Sequence, residues 1–208
     1  MNPKSFFAIN IIISILILIM STNSIHPKGT GACAFTGVVF QNNYNEICVS
    51  NVWVSTGVFV IEGLELSWKD LVYGFYPYVK FYHKFPVKDE ARNVAASYQI
   101  LIMNGGIGKS CKIENAFVDI TLSAGNKWEK YNIEYLKDRI SLSNNVIIWS
   151  VGTRIRSPFY KRIYTFIGYD YLSGRDQHWS GTFANDINYE VKSYGKLNLW
   201  TIGLEMEF

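Results

Sequence analysis

The 208 residues suit a single domain, and 18% charged residues against 49% hydrophobic and 16% aromatic fall short of the roughly 25% charge of an average soluble domain. A net charge of +3 from 20 basic and 17 acidic residues is too small and too scattered to argue for a nucleic-acid partner. Fourteen Tyr, thirteen Phe and six Trp favour strands over helices, and aromatic rings also gather where membrane meets water.

Residues 1–24 read as an export signal: Lys4 is the charged start, Phe6 to Met20 the apolar run, and Ser21 to Ser24 a small polar exit. The run is shorter than the ~20 residues a spanning helix needs. Residues 25–208 then form one domain, with no repeat or linker inside it. Cys33, Cys48 and Cys111 are an odd set for an exported chain. Cys33 with Cys48 is the favoured pair, and three separate thiols are the alternative. His26, His83 and His178 lie far apart and none is near a second cysteine, so neither a metal nor any other cofactor is implied.

From Leu71 onward the chain alternates with the period of a strand. Phe75, Pro77, Val79 and Phe81 oppose Tyr76, Tyr78, Lys80 and Tyr82, while Val94, Ala96, Tyr98, Ile100 and Ile102 oppose Ser97 and Gln99. Val118, Ile120 and Leu122 oppose Asp119, Thr121 and Ser123. Ile147, Trp149 and Val151 oppose Ser150, Gly152 and Arg154. Ile167, Tyr169 and Tyr171 oppose Gly168 and Asp170. In 182–193 the polar set Asp186, Asn188, Glu190 and Lys192 alternates with Ile187, Tyr189 and Val191. Turn residues punctuate these runs, and 86–92, 104–111 and 172–181 read as the longer loops. A soluble sandwich or lipocalin-like carrier would also alternate. The signal, the low charge, the aromatic load and the apolar end favour an all-β, antiparallel transmembrane β-barrel of eight strands, with ten as the alternative.

On this reading Arg154, Asp170, Asp186, Glu190 and Lys192 face the lumen, where opposed charges plug a small barrel. A narrow porin is the competing reading. Outward Tyr73, Trp149, Tyr169, Tyr171 and Trp200 are interface anchors. Gly105-Gly106-Ile107-Gly108-Lys109-Ser110 lacks the first glycine of a phosphate loop and precedes a strand pattern where a helix should start, so it reads as a hairpin loop.

In the last strand Trp200, Ile202, Leu204, Met206 and Phe208 alternate with Thr201, Gly203, Glu205 and Glu207. Thr201, Gly203, Met206 and Phe208 resemble the C-terminal assembly signal of bacterial outer-membrane barrel proteins, with Met206 where an aromatic residue is common. That resemblance implies the outer membrane as location, its lipid and the barrel-assembly machinery as partners, and termini on the periplasmic side. His178, Ser180 and Glu190 resemble the base, nucleophile and acid of outer-membrane lipid A deacylases, with Gly181 where that family usually has Asn. Their parity points to the lumen and away from lipid, so no catalytic residue is favoured. The leading function is a small non-enzymatic barrel with a structural or surface-presenting role. A lipid A-modifying hydrolase is the alternative, and the sequence names no host or surface ligand.

Overall fold

The computed structural model describes residues 29–40, 45–56, 59–69, 73–184 and 186–208; the export signal and His26 fall outside them. Twelve strands are described: β1 (Gly29–Phe40), β2 (Asn45–Val49), β3 (Val52–Thr56), β4 (Phe59–Lys69), β5 (Phe75–Ala91), β6 (Val94–Ile113), β7 (Ala116–Tyr135), β8 (Asp138–Tyr160), β9 (Ile163–Gly174), β10 (Gln177–Thr182), β11 (Asn188–Ser193) and β12 (Leu197–Glu207). Eight close into an antiparallel barrel in the order β1-β12-β9-β8-β7-β6-β5-β4. Closure of β1 onto both β12 and β4 leaves no unpaired edge in this wall, as a lipid environment demands.

Gly29, the first described residue, and Phe208 lie at one end, with the hairpins β6–β7 and β8–β9. The long connections β1–β4 and β9–β12 leave from the other end, where β2, β3, β10 and β11 form a second sheet in the order β10-β11-β2-β3. Strands β5 to β8 run 17 to 23 residues, beyond the 9–11 that cross a bilayer. Their outer halves continue past the wall and pack against the second sheet. Ile47, Val49, Val54 and Val191 from that sheet share one core with Val94, Ala96, Tyr98, Ile100, Tyr131 and Ile133. Tyr98 stacks on Tyr131 at 4.7 Å, Tyr131 meets Trp179 at 5.7 Å, and Tyr135 meets Phe183 at 5.9 Å. The molecule is thus a barrel capped at its loop end by a two-sheet sandwich.

Around the barrel proper, most outward positions are apolar. Ile107, Leu122, Ile155, Ile167, Ile202 and Leu204 are exposed, as are Met206 and Phe208. Trp149 with Tyr171 and Tyr169 with Trp200 form paired rings on this wall, in the manner of an interfacial girdle. Inward positions are polar, including Glu65, Lys80, Asp119, Arg154, Arg156, Asp170 and Glu205.

Three expectations are corrected. None of the three expected longer loops is one: 86–91 lie inside β5, 104–111 inside β6, and 172–181 divide between β9 and β10 around a two-residue link. In β6, Gly106 and Gly108 make room for neighbouring strands: a Cβ at Gly106 would lie 2.1 Å from the Leu122 carbonyl oxygen, and one at Gly108 2.3 Å from the Tyr76 ring. The apolar side of 94–102 faces inward, since the cap core covers it. Cys33 and Cys48 are both free: Cys33 is buried on β1 opposite Glu65 and Glu205, whereas Cys48 lies on β2 in the second sheet.

Candidate functional site

Two polar constellations stand out, one inside the barrel and one on the cap. Inside, strand alternation brings inward residues of six strands together. Arg156 bonds Asp119 through Nε (2.6 Å) and Nη2 (3.2 Å), and its Nη1 reaches Glu205 (3.1 Å) and Glu207 (3.0 Å). Arg154 bonds Glu65 and reaches Glu205 at 3.2 Å. Lys80 lies 2.9 Å from Asp170 and 3.4 Å from Glu65, while Lys69 lies 3.3 Å from Glu205. The Tyr82 hydroxyl donates to Asp170 at 3.1 Å.

Aromatic faces fill the space between these charges. Lys69 sits 3.9 Å over Tyr76, Arg154 4.4 Å over Phe166 and Arg156 5.1 Å over Phe117. Four cations and five acids therefore share one buried layer in a barrel whose bore is just wide enough for side chains. The arrangement is a hydrogen-bonded plug. Each guanidinium bridges several carboxylates, which offsets the cost of desolvating them.

Sequence reasoning placed five ionisable residues in the lumen. Arg154 and Asp170 are there. Asp186, at φ 58°, follows the β10 segment of the second sheet, and Glu190 and Lys192 lie on β11. Their polar side faces solvent because the apolar side of β11 is held by the cap core. The polar side of the last strand, with Glu205 and Glu207, also faces inward as its alternation implies, and the lumen members that sequence reasoning left unassigned are Glu65, Lys69, Lys80, Asp119 and Arg156. Strand parity with Arg154 would have found Arg156.

On the cap, the outer face of the second sheet is ordered by register. One transverse row reads Ser180, Glu190, Cys48, Trp53, and the next reads His178, Lys192, Glu46. Alternation turns all of these away from the core. His178 Nε2 lies 2.8 Å from Glu190 Oε1, Lys192 Nζ lies 3.2 Å from the same oxygen, and Lys192 sits 5.8 Å over the Trp53 ring. The hydrogen bond from Lys192, seconded by that of His178, draws the Glu190 carboxyl below its ordinary range, and Glu190 in turn raises Lys192.

The structure brings His178 and Glu190 together but does not complete a triad. Among the described residues no hydrogen bond joins the Ser180 hydroxyl to His178, whose Nε2 is engaged by Glu190. The group faces water on the cap, away from the apolar wall. Among the described residues no cluster of His, Cys, Asp and Glu is placed to hold a metal. Of the four C-terminal residues, Met206 and Phe208 point outward, Thr201 is buried inward and Gly203 is half-buried against the Phe166 ring.

Fold and lumen together define the chain as an eight-stranded transmembrane-type β-barrel with a plugged interior. No protein-family model and no curated protein matches the sequence. Solved structures do match the fold. OprG, an outer membrane protein of Pseudomonas aeruginosa, aligns at TM-score 0.56 and 10% identity over 88% of this chain and 97% of its own. A major outer membrane protein of Thermus thermophilus gives 0.52 and 10% over 86% and 99%. The attachment invasion locus protein Ail of Yersinia pestis gives 0.51 and 11% over 88% and 100%. At such identities the likeness is one of fold, and the fold is that of bacterial outer-membrane barrels.

Proposed function

We propose that the protein is a small, non-enzymatic barrel of a bacterial outer membrane that carries a folded sheet on the cell surface. The observation that carries this reading is the second sheet: its apolar face is sealed against the extended barrel strands, and its polar face is left to solvent at the end opposite Gly29 and Phe208. A barrel needing only to persist in lipid requires no such cap. Residues 1–24 direct export, and Thr201, Gly203, Met206 and Phe208 present the closing strand to the assembly machinery. The paired charges of the lumen stiffen the barrel and close it to ions.

Cys48 supplies the test, because it is half-exposed on the cap while Cys33 and Cys111 are buried in the barrel. A membrane-impermeant maleimide added to intact cells should label the protein, and Cys48→Ala should abolish the labelling. Labelling that requires prior rupture of the outer membrane would overturn the surface orientation. Recovery in the soluble periplasm, without a heat-dependent shift in gel mobility, would overturn the barrel. Stepwise conductance of the purified protein in a planar bilayer would replace the plug with a narrow porin.

A further inference from the structure

The outer wall carries a trough of ≈ 660 Å³ across β12, β1, β4 and β5. It exists because β1 presents only the small side chains of Ala34 and Thr36 between Ile202 on one flank and Leu64 and Phe81 on the other. The trough is apolar toward the end that holds Gly29 and Phe208. At its loop end the chemistry changes: Glu62 is outward, flanked along its own strand by exposed Val60 and Leu64 and across the sheet by Thr36 and His83. His83 is held by Gln99, whose Nε2 lies 3.3 Å from His83 Nε2.

Among the described residues no Lys, Arg or His ion-pairs with Glu62. A carboxylate on an apolar, lipid-facing wall is costly unless a partner offsets its lost hydration. Lys69, Lys80, Arg154 and Arg156 are turned inward into the plug and Lys109 lies over the Phe75 ring, so none of these described cations serves Glu62, and a partner from the surrounding lipid can. A shallow apolar channel running from that carboxylate suits a hydrocarbon tail, and the carboxylate suits a cationic head with hydrogens to donate.

We propose that this trough is a lipid site: an acyl chain lies over Ala34 between Ile202 and Phe81, and the primary ammonium of the same lipid's headgroup ion-pairs with Glu62 beside His83. The site rests on the reading of the barrel as membrane-spanning. It adds to that reading a preference for one class of lipid at one place on the wall.

Native mass spectrometry of the full chain, refolded and exchanged with phosphatidylethanolamine, phosphatidylcholine and phosphatidylglycerol of identical chains, tests it. The wild type should retain phosphatidylethanolamine about five-fold over the other two, the ratio that one partly desolvated ion pair supplies. Glu62→Gln should remove the preference, and Ala34→Leu, which fills the trough from outside, should lower retention of all three. Each variant is first checked for heat-dependent gel mobility. Equal retention of the three headgroups by an intact, vesicle-inserted wild type would overturn the site alone, as would an unchanged preference in folded Glu62→Gln. Failure of the wild type to insert into vesicles would overturn the membrane reading and the site with it.

Discussion

Arg156 and Asp119 form a two-point ion pair between adjacent strands, Nε to Oδ2 at 2.6 Å and Nη2 to Oδ1 at 3.2 Å, with neither side chain reaching solvent. They stand diagonally across the β7–β8 ladder, since Asp119 pairs with Arg154 and Arg156 with Phe117 in register. Arg156 also meets Glu205 and Glu207 of β12. The one guanidinium thus ties the middle of the barrel to its closing strand.

Removing that guanidinium leaves three carboxylates short of a partner in a buried layer. Arg156→Met should cost about 3–5 kcal/mol, the range for breaking a buried pair from one side. Urea unfolding of the protein refolded into vesicles measures it. The double variant Arg156→Met with Asp119→Leu should recover part of the loss, and equal instability of single and double variants would argue against the pair as the cause.

Packing, rather than charge, makes the second prediction. A Cβ at Gly63 would lie 2.2 Å from the Phe35 ring and 2.4 Å from the Phe81 carbonyl oxygen, whereas at Gly105 the nearest atom is 4.0 Å away. Gly63→Ala should therefore destabilise by about 1–3 kcal/mol, as overpacking does. Gly105→Ala should leave the unfolding midpoint close to that of the wild type. Two equal midpoints would mean that the Phe35 side of the lumen yields freely.

Glu190 titrates below the ordinary carboxylate range, with the hydrogen bond from Lys192 as the leading cause and that from His178 lesser. A depressed carboxyl stabilises the sheet above its unfolded value of about 4.3 and loses that contribution as pH falls through the folded value. Lys192, raised by Glu190, contributes below about 10.4 and loses it as pH climbs through its own folded value. The pair is thus at full strength between those limits. In an NMR titration of the Glu190 side-chain carbon, Lys192→Met should move the midpoint up further than His178→Ala does. The reverse order would assign the leading role to the imidazole.

The outward face of the closing strand was legible because period-two alternation is unbroken from Trp200 to Phe208 and one side is wholly apolar. The polar partners Ser150, Gly152 and Arg154 were legible for the same reason. Hairpin positions were not. The loops at Arg92-Asn93, Glu114-Asn115, Leu136-Lys137 and Lys161-Arg162 place Arg92, Glu114, Leu136 and Lys161 at φ between 46° and 57°, where turn chemistry leads one to look for glycine or asparagine. The glycines instead sit inside β6, chosen for close strand contact. Alternation also fails to say which side of a strand is in. Val94 to Ile102 and Ile187 to Val191 show their apolar residues to a cap core that only the tertiary structure creates, and this is why Glu190 and Lys192 belong to the surface rather than the lumen.

The cap and the barrel are separate hydrogen-bonded sheets, and this gives the last prediction. Ile47 is fully buried at the centre of the cap core, with Val49, Val54 and Val191 beside it. Ile47→Ala should cost about 2–5 kcal/mol. The loss should fall on the cap, because among the described residues no ladder joins β2, β3, β10 or β11 to the strands of the barrel. Hydrogen exchange should therefore quicken in those four strands and in the outer halves of β6 and β7, while amides of β12 and β1 keep wild-type protection and the heat-dependent gel shift persists. Uniform loss of protection across both sheets would show that barrel and cap unfold as a single cooperative unit, and would make the surface sheet a structural part of the barrel rather than a platform built on it.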